Sequence, residues 1–566
     1  MKLWFFTSIV LLILLSVVAV RWTPATPDER IEGLDMLLSV VPTAEGDACI
    51  GLGEYEAWFD SLDVSGDGVA DAADASADPR LADAIAQLTD RADLDGNRRI
   101  EWGEAEDLFR FLDRDGDDAL TPDDMPEEPP IEIVWCSDDN PVRREQIRLF
   151  NRLHPGYRIR LDPQNVGVEK VVVQSLAGVG PDIFDCYTGY QLSAYVRAGI
   201  ALDLTDLLAS AGLDMGPETI WPSLQPIYLL DDRVYAHPMN AGSPAVWFNK
   251  RLFDEAGEPY PEPDWTWDDC IATAQRLTVR NERGQVTQYG LLGPWDWKLA
   301  LFQHGARVYN EEMTRCILDA PEAIAAIQFM YDLIFKHNVM PSLQAETAMA
   351  SAGGWGTGML ALFGAERGAM AIGGRWWLCI YRIEEYAALR LGAVEVPGLE
   401  LPDGSVSRRV YGYGRSTVVN SQGKRVDDAL LFIRYLHGQP YNELVNRQAD
   451  ALAPVIEYNY TDDFLHNPDY PEEDYNDVWR SSMAAAEPEE VSPYVNGQVV
   501  ERFLTVQMDM VRSDIKSPAD AMRDCTRRIN DEIIDTLRHD PELYARYMEA
   551  VAAGAQPAWD DPEDAP

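Results

Sequence analysis

From Ile131 onward, short apolar runs alternate with amphipathic stretches, and this pattern constrains the fold more than any other feature of the chain. IEIVWC (Ile131 to Cys136) predicts a buried strand, Val142 to Leu153 a helix, YRIRLDP a second strand, VEKVVVQSLAG a second helix and DIFDCY a third strand. Strand, helix, strand, helix, strand is the order that builds a parallel α/β sheet with helices on its faces. Further on, AVWFNK, RLGAVEV and STVVN read as strands. Glu322 to His337, Val426 to His437 and roughly Pro518 to Ala552 read as helices.

Upstream of Ile131 the chain is of another kind. Residues 51–125 are its most acidic part and carry a 20-residue repeat, and MPEEPP (Met125 to Pro130) is a stiff extended linker, because proline fixes φ and disfavours helix on its preceding side. Leu3 to Val20 carries no charge and would reach about 27 Å as a helix, near the thickness of a bilayer's hydrocarbon core. Lys2 precedes it and acidic residues follow, so the bulk of the chain is expected outside the cytoplasm. It is expected in the periplasm or at the cell surface, tethered by residues 3–20 or, with Val17 and Ala19 at a weak cleavage site, released. Residues 21–50 then serve as a spacer.

Charge and motifs narrow the function. With 95 acidic against 47 basic side chains the formal charge is −48, which leaves no basic surface for nucleic acid. At 46% hydrophobic residues the chain is nevertheless too apolar for a disordered acidic polymer. Seven dispersed cysteines without a CxxC pair do not support a thiolate metal site, and their odd number leaves at least one thiol unbridged. No HExxH, GxSxG, P-loop or dinucleotide motif occurs, and no catalytic residue is assigned. A glycoside hydrolase, which needs two carboxyl groups about 5 to 9 Å apart, is the weakest alternative.

Three windows of the acidic region place oxygen-bearing side chains at their first, third and fifth positions: DVSGDGVADAAD, DLDGNRRIEWGE and DRDGDDALTPDD. Such spacing wraps a chain around one calcium ion, which takes six to eight oxygens. The windows resemble EF-hand loops. The ligands so implied are Asp63, Ser65, Asp67, Val69, Asp71 and Asp74 in the first loop. The second has Asp93, Asp95, Asn97, Arg99, Glu101 and Glu104, and the third Asp113, Asp115, Asp117, Ala119, Thr121 and Asp124. Ala70, Ile100 and Leu120 at the eighth position would let neighbouring loops pair. Asp74 and Asp124 are one methylene shorter than the usual closing Glu, and Arg98 and Asp118 stand where positive φ favours glycine, so affinity in the weak extracellular range, about 0.1 to 1 mM, is expected.

The large region resembles the extracellular solute-binding proteins of sugar ABC transporters, the group that includes maltose-binding protein. The matching phrases run in order: LFNRLHPGYRIRL, SLAGVGPDIFDCYTGYQLSAYVRAGIALDLTDLL, DDRVYAHPMNAGSPAVWFNKRLFDEAGE, DWTWDDCIATAQRLT, GARVYNEEMTRCILDAPEAIAAIQFMYDLI and FGAERGAMAIGGRWW. The resemblance implies a two-lobed periplasmic-binding-protein fold of the α/β class (type II-like), preceded by a small all-α EF-hand domain and an N-terminal membrane helix. One lobe would comprise residues 131–246 with about 411–450, the other about 247–410 with about 451–552, and 553–566 an acidic tail.

Strand ends suggest where a solute would sit, since open α/β sheets place ligands beyond the C-terminal ends of their strands. Asp138 and Asp139 follow the first strand, and Asp185, Tyr187 and Tyr190 end the third. The resemblance puts Trp376, next to Trp377, at the family's sugar-stacking position, where an aromatic face meets the C–H groups of a sugar ring. Trp295, Trp297, Trp355, Tyr413 and Arg415 are further candidates, and Arg375 or Arg415 would suit a uronate. The expectation is a protein that closes on a sugar or oligosaccharide and delivers it to an ABC permease, with calcium as its bound ion. The alternative is an anchored sensor or docking protein using the same lobes.

Overall fold

The computed structural model describes residues 29–42, 49–93, 98–125, 130–140, 142–163, 167–293, 296–349, 358–383, 386, 388–561 and 565–566. The apolar run at 3–20, the linker residues 126–129, Asp95, Asn97, Trp295 and Trp355 lie outside the described residues. No helix among the described residues is long and apolar enough to cross a membrane. Cys136, Cys186, Cys270, Cys316, Cys379 and Cys525 are buried free thiols. By its internal contacts the chain divides into two compact units, residues 1–135 with 147–161, and 136–146 with 162–566.

The first unit opens with five helices, α1 (Glu29–Val40), α2 (Leu52–Leu62), α3 (Ala72–Ala77), α4 (Ala82–Ala92) and α5 (Trp102–Leu112). Four two-residue strands alternate with them, β1 (Ile50–Gly51), β2 (Val69–Ala70), β3 (Ile100–Glu101) and β4 (Ala119–Leu120). Helices α4 and α5 bury Ile85, Leu88 and Ala92, and Ala105, Leu108, Phe109 and Leu112, at the spacing of an amphipathic helix. These residues join Leu37, Tyr55 and Phe59 in one core. β2 pairs antiparallel with β3, Ala70 facing Ile100, and β1 with β4, Ile50 facing Leu120. The unit also holds most of β5 (Ile131–Cys136), the later turns of α6 (Arg143–Leu153) and β6 (Tyr157–Asp162), next to β5 in its sheet. Arg148 and Arg152 of α6 donate to the carbonyls of Asp93 (3.4 Å) and Arg91.

The second unit carries two sheets. After α7 (Val168–Leu176), strand β7 (Ile183–Cys186) is buried at every position, and β8 (Ala236–Gly242) and β9 (Ala245–Asn249) are separated only by Ser243 and Pro244. The other sheet is built from β10 (Val279–Arg280), β11 (Val286–Leu292), β12 (Gly368–Gly373) and β13 (Leu391–Val394) around β9, in the order β10-β11-β12-β9-β13. Only β11 and β12 run parallel there; β9 is antiparallel to both its neighbours. Strand β14 (Tyr413–Val419) returns to lie between β7 and β8, antiparallel to each. The second sheet is therefore mixed, and β14 enters the first antiparallel to both its neighbours, where a parallel sheet was expected. A strand entering from the other sheet is free of the right-handed crossover that keeps strand–helix–strand units parallel.

Helices α8 (Trp297–Gln303), α9 (Gly497–Arg512) and α10 (Pro518–His539) complete what the site needs. Ser517 caps α10 by accepting from Asp520 N–H at 3.1 Å, with proline at the first helical position. Its buried stripe, Met522, Cys525, Ile529, Ile533 and Leu537, shares one core with Phe248, Ile327 and Met370.

Candidate functional site

Trp376 lies just past the C-terminal end of β12, in a single 3₁₀ turn over Arg375–Trp377. The turn is fixed from both sides. Trp247 Nε1 donates to the Gly374 carbonyl at 3.1 Å, and the Arg375 guanidinium is buried and donates to Asn476 Oδ1 (2.9 Å) and to the carbonyls of Ala451 (2.6 Å) and Asn446 (3.0 Å). With no carboxylate among the described residues at hydrogen-bond distance, burial pushes Arg375 down to about 9. Gly374 has no room for a side chain, because a Cβ there would lie 2.0 Å from the Tyr413 hydroxyl and 2.7 Å from the Trp376 ring. That close approach brings the Trp376 indole N–H to the Tyr413 oxygen.

The result is a cavity of about 590 Å³ walled by Trp376, Trp377, Trp297 and Tyr413. Trp376 is half-buried, whereas Trp377 is 3% exposed and meets the Trp376 ring edge-on at 6.3 Å. The polar groups on the lining are Asp296, Tyr411, Glu346, Arg512, Asp509 and Thr505. Asp296 caps α8, accepting from Leu299 N–H at 3.0 Å and from the Tyr411 hydroxyl at 2.9 Å; burial raises its pKa. Arg512 pairs with Glu346. One half-exposed aromatic face, a buried one beside it and hydrogen-bonding groups of both polarities suit a ring compound bearing hydroxyls.

The other expected residues lie elsewhere. Arg415 Nη1 meets Asp138 at 2.7 Å, its Nη2 meets Asp450 at 3.2 Å and its Nε meets Asp185 at 3.3 Å. Arg143 joins the same group through Asp450 (2.8 Å) and Asp138 (3.3 Å). Tyr187 donates to Asp138 at 2.9 Å, and Ser137 to Asp185 at 2.5 Å. Burial alone would raise all three carboxyls. Arg415 and Arg143 outweigh it at Asp138 and Asp450, which are held below the usual carboxylate range, while Asp185 stays raised. Asp138, Asp185, Tyr187 and Arg415 are thus bound to one another. Asp139 is exposed, and Tyr190 lines a neighbouring cavity with Trp297, its hydroxyl 2.8 Å from that of Tyr309. Asp296 was missed from sequence, although an acid between two tryptophans, WDW, is an unusual enough phrase to have flagged it.

In the acidic module the first and third loops share the amide cradle of their first carboxylate. Asp63 Oδ1 accepts from the amides of Gly66 (2.6 Å) and Asp67 (3.2 Å), and its Oδ2 from Gly68 (2.8 Å). Asp113 does the same for Gly116 (2.8 Å), Asp117 (3.2 Å) and Asp118 (3.1 Å). The closing carboxylates fold back over each loop, Asp74 onto the amides of Ser65 (2.8 Å) and Asp71 (3.1 Å), Asp124 onto those of Arg114 (2.8 Å) and Thr121 (2.7 Å). Carboxylate oxygens of Asp113, Asp115 and Asp117 lie within 4.8 Å of one another. In the second loop Asp93 Oδ2 accepts from Arg98 N–H at 2.9 Å, and Glu101 N–H reaches Glu104 at 3.3 Å. A fourth turn repeats this last feature, Gly51 N–H donating to Glu54 at 3.1 Å beside the Ile50 strand that pairs with loop three. Its partner role was not read from the sequence.

The family model for bacterial extracellular solute-binding proteins matches residues 138–443, more than half of the chain. The chain is 30% identical over 117 residues to the arabinooligosaccharide-binding protein of Halalkalibacterium halodurans, a match spanning 20% of this chain and 25% of that protein. It is 29% identical over 134 residues to an uncharacterized ABC transporter extracellular-binding protein of Pyrococcus horikoshii, spanning 23% and 29%. These matches thus span under a third of either relative. Among solved structures, an ABC substrate-binding protein from Listeria monocytogenes in complex with cycloalternan superposes with a TM-score of 0.60 at 19% identity, covering 71% of this chain and 99% of that one. The maltose/maltodextrin-binding domain from Bdellovibrio bacteriovorus bound to maltotriose gives 0.57 at 16%, covering 71% and 100%. At such identities the likeness establishes the fold.

Proposed function

We propose, since this chain belongs to the bacterial extracellular solute-binding proteins, that it captures a sugar or oligosaccharide against Trp376 and hands it to an ABC permease. The observation that carries this reading is the half-buried Trp376 ring on a cavity of about 590 Å³ that also offers Trp297, Tyr413 and hydrogen-bonding side chains. A sugar stacks its C–H face on the indole while its hydroxyls bond to the carboxylates and hydroxyls around it. Arabinooligosaccharide, cycloalternan and maltotriose as ligands of similar proteins support a carbohydrate. Binding without turnover is the expected behaviour.

The acidic module, in the same proposal, holds calcium in EF-hand loops and stabilises the chain, and residues 3–20 tether it to the membrane. Support for calcium comes from the shared amide cradle of Asp63 and Asp113 and from the convergence of Asp113, Asp115 and Asp117. Titrating the full chain with a broad saccharide panel tests the main reading. A bound sugar shifts tryptophan fluorescence and raises the melting temperature, and Trp376→Ala lowers its affinity at least tenfold. A panel in which no sugar moves either signal overturns it. For calcium, chelation lowers the melting temperature and leaves sugar affinity within twofold.

A further inference from the structure

Trp297 lies between two cavities, and the charges on its two sides do not balance. On the Trp376 side the acids Asp296, Glu346 and Asp509 face one base, Arg512, which Glu346 already holds. On the other side is a cavity of about 450 Å³ with an apolar floor that includes Leu301, Val308 and Leu504. There the bases pair one to one with acids: Arg409 with Glu487 (2.5 Å), Arg307 with Glu490 (2.5 Å) and Lys298 with Glu489 (2.8 Å). Glu501 is left over. Each base on these walls is therefore taken, and Asp296, Asp509 and Glu501 have no ion-pair partner among the described residues.

Asp296 is the most constrained of the three. It is only 9% exposed, and its hydrogen-bond partners, the Tyr411 hydroxyl and the Leu299 amide, are neutral. Lys298, the next residue but one, lies with its ammonium 2.8 and 2.9 Å from the two Glu489 oxygens. Burial raises both Asp296 and Glu501, and the charge of Lys298, shared among Glu489, Glu501 and Asp296, only partly offsets it. A ligand that brings a cation offsets the remainder, and an aromatic wall adds attraction for it.

We propose that the solute held against Trp376 is a saccharide carrying at least one free amino group, its ammonium seated beside Asp296 with Asp509 adding to the local negative potential. This rests on the saccharide reading above and narrows it. The same charge count excludes a uronate, which would set a carboxylate against two others.

Calorimetric titration of the full chain tests this with matched sets: oligomers of glucosamine and of galactosamine, their N-acetylated forms, and neutral glucose and galactose oligomers of equal length. The expected result is at least tenfold tighter binding of an amino oligomer than of its acetylated and neutral counterparts, a preference that shrinks in 0.5 M salt. Asp296→Asn brings the ratio towards one. Because Asp296 also caps a helix, Asp509→Asn is measured beside it and lowers the ratio at least threefold. Neutral or acetylated oligomers that bind as tightly as the amino ones overturn the proposal and leave sugar capture standing; no binding by any saccharide overturns both.

Discussion

Arg415 holds Asp138, Asp185 and Asp450 together, and at 4% side-chain exposure it has no water to replace a lost partner. Removing one member of a buried ion group strands the rest, at about 3 to 5 kcal/mol. Arg415→Met is accordingly expected to lower unfolding stability by about that much, read by urea denaturation, and to do so in the absence of any sugar. A variant as stable as the parent would show that the cluster is held by other means. That Asp138 and Asp185 lie at strand ends was legible, because β5 and β7 end where the alternating apolar pattern ends. That they bind each other was not, since Arg143 and Asp450 are 307 residues apart and no local pattern links them. Trp376 and Tyr413 were legible one at a time. Their approach over Gly374 depends on a side-chain volume that sequence does not express.

Elements were legible wherever their period was strong. Val426–His437 forms as expected, and the long C-terminal helical stretch is two helices, Pro518–His539 and Pro541–Ala552, broken where Asp540 caps the second and Pro541 cannot continue the first. The positive φ at the sixth position of the second and third acidic windows was legible from where glycine is usual, Arg98 taking φ +59° and Asp118 φ +65°. The Ile50 turn was not, because the strand that reveals it is defined by its partner, Leu120. The left-handed conformation costs a side-chain-bearing residue about 1 kcal/mol or more, while the Arg98 amide must stay in place to reach Asp93. Arg98→Gly keeps that bond and removes the strain. Slower hydrogen exchange at amides 98–104, by about two- to fivefold, is the expected outcome, for about 0.5 to 1 kcal/mol of local stability. Faster exchange would mean that the Arg98 side chain contributes more than its backbone costs.

For the whole molecule, a formal charge of −48 and a handful of depressed carboxyls act in opposite directions as pH falls. Protonating surface acids first relieves the self-repulsion of a strongly anionic chain, so stability is expected to rise from neutral pH to about 5. Asp138 and Asp450 then reverse the trend. Burial opposes their ionisation, but Arg415 and Arg143 lower both below the value an unfolded aspartate has, about 3.9. A group whose folded pKa is depressed contributes stability that is complete above the unfolded value and is lost as pH falls through the folded one. The melting temperature should therefore pass through a maximum near pH 5 and fall steeply below about 4. Asp138→Asn gives up the Asp138 share of the ion cluster at every pH, so it lowers the maximum and makes the acid limb shallower. Scanning calorimetry from pH 3 to 8 on parent and variant separates the two effects. Acid limbs of equal slope would assign the acid loss to surface carboxylates instead of the buried ones beside Arg415.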